Sequence, residues 1–184
     1  MKEFKANTWF YPLAVVIIGT YDEKGNPNAM NAAWASIYDY NTILVNLSQH
    51  KTTDNLKVNN EFTLAFATKS TLVASDYVGI VSYEKEPEKV KKAGLTPIKS
   101  NNVNAPLFKE YPLTLECKVK SMDSDFHVIA EIVAIQADES ILTDGKIDPK
   151  KLEAISYDPV NHKYLLLSGE VVGDAFKAGL QLKK

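Results

Sequence analysis

The chain contains no arginine; all 21 of its basic residues are lysines. Any phosphate it holds must be met by ammonium groups, hydroxyls and backbone N–H donors, without the bidentate fork of a guanidinium. Cysteine is almost absent too. Cys117 stands alone among 184 residues, which excludes an internal disulfide and a CxxC redox pair. It occupies an apolar position of an alternating run, where a buried and unreactive thiol is expected. The three histidines, His50, His127 and His162, lack metal-ligand spacing. Nothing matches GxGxxG, GxxxxGK[ST], HExxH or GxSxG, so motif-borne dinucleotide, P-loop, zinc-protease and hydrolase readings lose support. The longest apolar run, residues 13–19, is too short to span a bilayer, and residues 1–7 hold no apolar signal core. The formal net charge of −2 argues against a nucleic-acid partner and against an anionic membrane surface. The expectation is a cytoplasmic protein with neither nucleic acid nor membrane as partner.

What the chain does have is an ordinary globular composition, 45% hydrophobic and 24% charged, which suffices for a core in one domain over 1–184. Residues 13–20 form a β-branched run that is apolar on both faces, as a central strand would be. A polar hairpin turn follows at 22–26, with Gly25 free to take a positive φ, and a second strand runs over 27–36. Further strands are expected at 42–47, 61–67, 113–121, 126–136 and 164–168. Helical signals are few and short. One covers 54–59 with Thr52 or Thr53 as its cap. Another covers 71–78 between Ser70 and Gly79. A third covers 87–93 before Gly94. Residues 96–112, with prolines at 97, 106 and 112, read as an ordered surface loop, and 149–154 as a short helix. About six or seven strands without regular strand–helix alternation give a mainly β fold: an antiparallel barrel with helical excursions.

Two stretches stand out chemically. In an extended Asn28-Ala29-Met30-Asn31-Ala32-Ala33-Trp34, residues Asn28, Met30, Ala32 and Trp34 share one face, and Ala29, Asn31, Ala33 and Ala35 the other. The second face is nearly bald. It suits either the close packing of a helix or strand, or a planar ligand bonded to exposed backbone. The second stretch is the polar turn Ser48-Gln49-His50-Lys51-Thr52-Thr53 ahead of a helix. Free N–H groups, hydroxyls and the Lys51 ammonium would favour an anion there; an ordinary capped surface helix would look the same. His127 lies in an alternating strand, where it is either a satisfied sheet histidine or a substrate contact.

The ordered set Pro12, Val15–Asp22, Gly25–Trp34, Thr53-Asp54-Asn55-Leu56, Ala74–Ser82, Ala93–Pro97, Ala105-Pro106-Leu107, Pro112–Cys117 and Gly173-Asp174-Ala175-Phe176 resembles the flavin reductase-like, FMN-binding split-barrel family, flavoredoxin branch. The resemblance runs from about residue 12 to 179. It implies a six-stranded antiparallel split barrel of Greek-key type and a homodimer with FMN near the interface. The strand Asn28, Ala29, Met30, Asn31, Ala32, Ala33, Trp34 would line the flavin ring. The turn bearing Ser48, His50, Lys51, Thr52 and Thr53 would hold the ribityl phosphate. The segment from Asp76 to Ser82, together with Lys89, would approach from the helical excursion. His127 would stand on the nicotinamide side. Where the family often has arginine in the phosphate turn, this chain has His50 and Lys51, so the anion contact is a point charge. Tyr83 stands where the flavoredoxin branch tends to have glycine, and Asp125-Phe126-His127 replaces a common Gly-Asp-His. The implied activity is an FMN-dependent oxidoreductase with NAD(P)H as electron donor and no side chain needed as acid or base. An electron carrier with a protein acceptor and a flavin-free dimeric binding protein are the alternatives.

Overall fold

A computed structural model of the chain describes residues 1–183. The apolar run that opens the sequence divides at Val15 into β1 (Leu13–Ala14) and β2 (Val16–Tyr21), because its two halves pair with different strands. In the turn after β2, Asp22 Oδ1 accepts from the backbone N–H of Lys24 (2.9 Å) and of Asn26 (2.8 Å), and Gly25 takes φ +81°. Next come β3 (Pro27–Ala32), β4 (Ala35–Asp39), β5 (Thr42–Asn46), helix α1 (Lys51–Asn59), β6 (Glu61–Phe66), α2 (Leu72–Ile80) and α3 (Lys89–Lys92). A small hairpin, β7 (Pro97–Lys99) and β8 (Pro106–Phe108), precedes the two longest strands, β9 (Leu113–Met122) and β10 (His127–Ala137). The chain ends with β11 (Leu142–Thr143), β12 (Lys146–Ile147), α4 (Pro149–Leu152), β13 (Ile155–Asp158), β14 (Lys163–Leu166) and a 3-10 turn, Ala178–Leu182.

Seven strands make one antiparallel sheet in the order β3-β2-β6-β9-β10-β5-β4. Its two edge strands, β3 and β4, are consecutive in sequence and separated only by Ala33 and Trp34. In a flat sheet at ~4.8 Å per strand those edges would stand ~29 Å apart. The chain from Ala32 to Ala35 can reach only ~10 Å. The sheet must therefore curl until its edges meet. β3 and β4 are one strand bent at Ala33-Trp34, which makes six strands around a barrel that the chain closes without a hydrogen-bonded seam. This is the split barrel of the sequence reading.

Alternation along β2 sorts the core. Val16 and Ile18 face the barrel interior with Ile43, Val45, Phe62, Leu64, Leu115, Cys117 and Val128. Ile17 faces outward against Val78, Val90, Leu95, Phe108 and Tyr111, so α2, α3 and the β7–β8 hairpin form a layer on the barrel's outer face. Leu56 carries α1 into the interior cluster. The Cys117 thiol is fully buried there, and burial pushes its pKa up to about 12. Its neighbour Glu116, also fully buried, accepts from Ser100 Oγ at 2.8 Å and from the Asn102 side chain, pinning the loop between β7 and β8.

Several boundaries differ from the sequence reading, each for a tertiary reason. Helix α1 begins at Lys51 with His50 as its N-cap, because the Thr53 hydroxyl reaches back to accept from the His50 N–H at 2.9 Å. Gly79 lies inside α2, not at its stop; a Cβ there would stand 2.8 Å from Asn31 Cβ, so the glycine serves close helix–strand contact. Pro87 precedes the short α3 instead of opening it. The expected loop over 96–112 contains a hairpin, and the last strand is paired with a missed one, β13. Among the described residues no helix is long and apolar enough to cross a membrane.

Candidate functional site

A cavity of about 710 Å³ opens where the bend at Ala33-Trp34, the start of α1 and the end of α2 come together. That volume lies within the ~300–1,000 Å³ common for small-molecule sites. β3 and the bend contribute Asn28, Met30, Asn31, Ala32, Ala33 and Trp34. Across from them, the turn into α1 contributes Ser48, His50, Lys51 and Thr52. The end of α2 and the loop after it contribute Gly79, Ser82 and Tyr83, and α3 contributes Lys89. Twelve of the residues singled out in the sequence are thus brought to one cavity. Ala29, Thr53, Asp76 and His127 lie outside its lining.

The exceptions have physical causes. Ala29 is fully buried among the residues beneath α2, so the bald face of β3 is in large part a packing face. Asn31 on that face donates from Nδ2 to the Ser75 carbonyl of α2 at 3.0 Å. Thr53 is fully buried, and its hydroxyl donates to the Ser48 and His50 carbonyls at 3.2 and 2.8 Å, so it shapes the turn from beneath. Asp76 faces away from the cavity and accepts from the Tyr164 hydroxyl of β14 at 2.6 Å. Burial, and then the Asp76 carboxylate, push that phenol up to about 12. His127 is exposed and holds Asp123 Oδ2 through Nδ1 at 2.7 Å; the same Asp123 accepts the His127 backbone N–H at 2.9 Å.

The cavity presents donors at two ends. The first helical hydrogen bond of α1 runs from the Asp54 N–H to the His50 carbonyl at 3.1 Å. The N–H groups of Lys51 and Thr52 ahead of it have no helical acceptor, so a helix start with its partial positive charge meets the half-buried Lys51. At the bend, the ladder of β3 stops at Ala32 and that of β4 begins at Ala35. Among the described residues the N–H groups of Ala33 and Trp34 find no backbone acceptor, while the Trp34 carbonyl accepts from the Asn46 N–H at 2.8 Å. Lys89 is buried; its ammonium donates to the Val78 and Val81 carbonyls at the end of α2, both at 3.0 Å. An ammonium has three donors, so one remains. Burial lowers the Lys89 pKa to about 8.

Acceptors are also left over. The side-chain oxygens of Asn28 and Asn46, both in the lining, are buried with no hydrogen-bond partner among the described residues. Asn28 Nδ2 is already committed to the Thr52 hydroxyl at 2.8 Å, which ties β3 to α1. Buried polar atoms without partners are costly, and a ligand with hydroxyl or imide donors would satisfy them. Backbone donors beside small side chains, a cationic helix start and orphaned acceptors between them match a flat heterocycle carrying a polyol and a phosphate. The residues present fit FMN.

The Asp76–Ser82 segment of the sequence reading delivers Val78, Gly79, Ile80 and Val81 to the lining, and Tyr83 stood out only as a departure; sequence reasoning missed Asn46, Leu47 and Glu84, which also line the cavity. At the α2 end, Val78, Ile80 and Val81 flank Gly79, more apolar surface than a helix with one buried face needs. Trp34, 53% exposed, also borders a second, smaller cavity formed with Trp9, Phe10 and Leu44.

Comparison with solved structures gives the same architecture. The chain is 34% identical to flavoredoxin of Desulfovibrio vulgaris (Miyazaki F), covering 97% of this chain and 99% of that one, with a TM-score of 0.92. Flavoredoxin from Methanosarcina acetivorans is 27% identical over 99% of this chain and 100% of that one, with a TM-score of 0.87. An FMN-binding domain of a flavin reductases-like enzyme from Shewanella baltica OS155 shares the fold at 20% identity, with a TM-score of 0.78 over 88% of this chain and 89% of that one. An uncharacterised protein of Pyrococcus abyssi (strain GE5 / Orsay) is 28% identical over 144 residues, 74% of this chain and 80% of that protein. The flavin reductase like domain model matches residues 9–151. With a split barrel and this match over most of its length, the chain belongs to the flavin reductase like domain family.

Proposed function

We propose that the protein is an FMN-binding oxidoreductase that takes electrons from NAD(P)H and passes them to an acceptor. The observation that carries this reading is the pairing of unpartnered backbone N–H groups at Ala33-Trp34 with an unpartnered helix start at Lys51-Thr52 in one cavity. Bound FMN supplies the two-electron chemistry, so the chain needs no general acid or base. Ala32 and Ala33 give the ring room. The N–H groups of the bend meet its polar edge. Lys51 and the first N–H groups of α1 hold the phosphate, and Ser48 and Thr52 add hydroxyls. Lys89, fixed by two carbonyls, places its remaining donor and its charge toward the ring, where it favours electron-rich states. The absorbance of purified protein loaded with FMN and desalted, before and after NADH or NADPH, tests the reading. Retained flavin absorbance that bleaches with a nicotinamide is the expected result. Protein that retains no flavin at micromolar concentration would refute it.

The identity to a flavoredoxin supports a second reading, an electron carrier that holds FMN and reacts with a protein partner without nicotinamide turnover. Retained flavin that bleaches with dithionite but not with NADH or NADPH would select it. We further infer a homodimer. Trp34, Ile37, Tyr38 and Tyr40, large apolar side chains within and beside the edge strand β4, are 53–100% exposed. A single chain in sedimentation equilibrium at tens of micromolar would reject that inference.

A further inference from the structure

The end of the cavity that holds the phosphate, on the reading above, is bordered by Lys51 and Tyr83, with Asp22 outside the lining behind Tyr83. Lys51 comes from the first turn of α1. Tyr83 comes from the loop between α2 and α3. Asp22 comes from the turn between β2 and β3. The Lys51 ammonium stands 6.0 Å from the centre of the Tyr83 ring. The Tyr83 hydroxyl points to Asp22 Oδ2 at 3.5 Å, a long contact strengthened by the carboxylate's charge. Asp22 is itself held fast. Its Oδ1 accepts two backbone N–H groups, and its Oδ2 accepts from Asn26 Nδ2 at 2.9 Å. The half-buried phenol ring thus lines the cavity with its hydroxyl end held toward a rigid turn.

We propose that Tyr83, tethered by Asp22, makes the site selective for a flavin mononucleotide over FAD, because its ring blocks the path an adenylate would take beyond the first phosphate. Charge reinforces the block. A second phosphate would meet Asp22 behind Tyr83 and the carboxylates of Asp54 and Glu84 in the cavity wall. The lysines in that wall are Lys51, engaged by the first phosphate, and Lys89, bound to two carbonyls. No arginine exists anywhere in the chain to bridge two phosphates. Burial, and then the Asp22 carboxylate, raise the Tyr83 pKa, so the phenol remains a donor at neutral and mildly alkaline pH.

The proposal rests on the flavin reading, and one experiment separates the two. FMN, riboflavin and FAD are titrated into the wild-type protein and into Tyr83→Ala and Tyr83→Phe variants, with flavin fluorescence as the readout. The wild type is expected to bind FMN at least about thirtyfold more tightly than FAD, roughly 2 kcal/mol. Tyr83→Ala should reduce that ratio at least about tenfold, mainly by tightening FAD. Tyr83→Phe keeps the ring and should retain most of the discrimination. A wild type that binds FAD as tightly as FMN, or a Tyr83→Ala variant with an unchanged ratio, overturns the gate and leaves the flavin reading standing. Tyr83→Phe falling as far as Tyr83→Ala overturns the steric block, since the hydroxyl and its contact with Asp22, not the bulk of the ring, would then carry the discrimination. A wild type that binds none of the three flavins overturns both.

Discussion

Replacing Lys51 by alanine separates the phosphate from the ring. Lys51 is half-buried at the first helical position of α1, and its own N–H and that of Thr52 lack helical acceptors. The substitution removes the point charge but leaves those N–H groups and the helix end in place. A unit charge ~4 Å from a phosphate oxygen at an effective dielectric of ~20 is worth ~4 kcal/mol before desolvation and the counterion atmosphere are counted. For a half-exposed ammonium the net should be about 1–2 kcal/mol, an FMN affinity some 5- to 30-fold weaker. The N–H groups and the helix dipole retain about 1 kcal/mol of the anion contact, so binding should not vanish. Riboflavin has no phosphate, and its affinity should be unchanged in the variant. Isothermal titration of both ligands at two salt concentrations is the assay. The FMN loss should shrink as salt rises, while riboflavin stays flat. Equal losses for FMN and riboflavin would show that Lys51 does not face the phosphate and would refute the orientation argued here.

Gly79→Ala places a Cβ 2.8 Å from Asn31 Cβ, where neither backbone can yield easily; urea denaturation should show a loss of about 1–3 kcal/mol, with weaker flavin binding as α2 moves off β3. Lys89, lowered from 10.5 to about 8 in the folded protein, binds fewer protons folded than unfolded between those values. The wild type should therefore gain stability relative to Lys89→Met as pH rises from about 8 toward 10, by at most about 3 kcal/mol, and a flat difference would refute the burial of a charged Lys89. Asp158 accepts from the Tyr11 hydroxyl and from Asn161 Nδ2, which hold its carboxyl down to about 2. Its contribution is present above about pH 4 and lost as pH falls toward 2, so the stability gap between wild type and Asp158→Asn should close over that interval in acid titrations followed by circular dichroism.

The barrel was legible because its strands alternate and its turns carry the residues that turns need. Asp22 and Gly25, the latter at positive φ, mark the first hairpin. What was not legible depends on partners distant in sequence. β13 buries Ser156 and Asp158, so it shows no apolar alternation. Its polar side chains are satisfied by Leu13 and Tyr11, more than 140 residues away. The start of α1 was misplaced because Thr53 looks like a cap; it bonds backward to the turn, which moves the helix start to Lys51. At the site, the residue types were readable, but the division of labour was not. Small side chains at 29 and 31 could accept either a helix or a ligand, and the choice depended on Gly79, fifty residues on.

The bend at Ala33-Trp34 joins fold and function in one feature. A continuous strand over 27–39 could serve either edge of the sheet but not both. Breaking its ladder for two residues lets one strand pair with β2 on one side of the barrel and with β5 on the other. The break necessarily frees main-chain donors, and an unpaired N–H is tolerated only where water or a ligand can reach it. Small side chains at 32 and 33 keep that stretch open, and α1 and α2 converge on the same place because their anchors, Asn28–Thr52 and Asn31–Ser75, lie on β3 just before the bend. The cavity is therefore what closing a six-strand barrel by a bent strand leaves behind. Its position follows from topology, and its selectivity is left to the few side chains, Lys51, Tyr83 and Lys89, that reach into it.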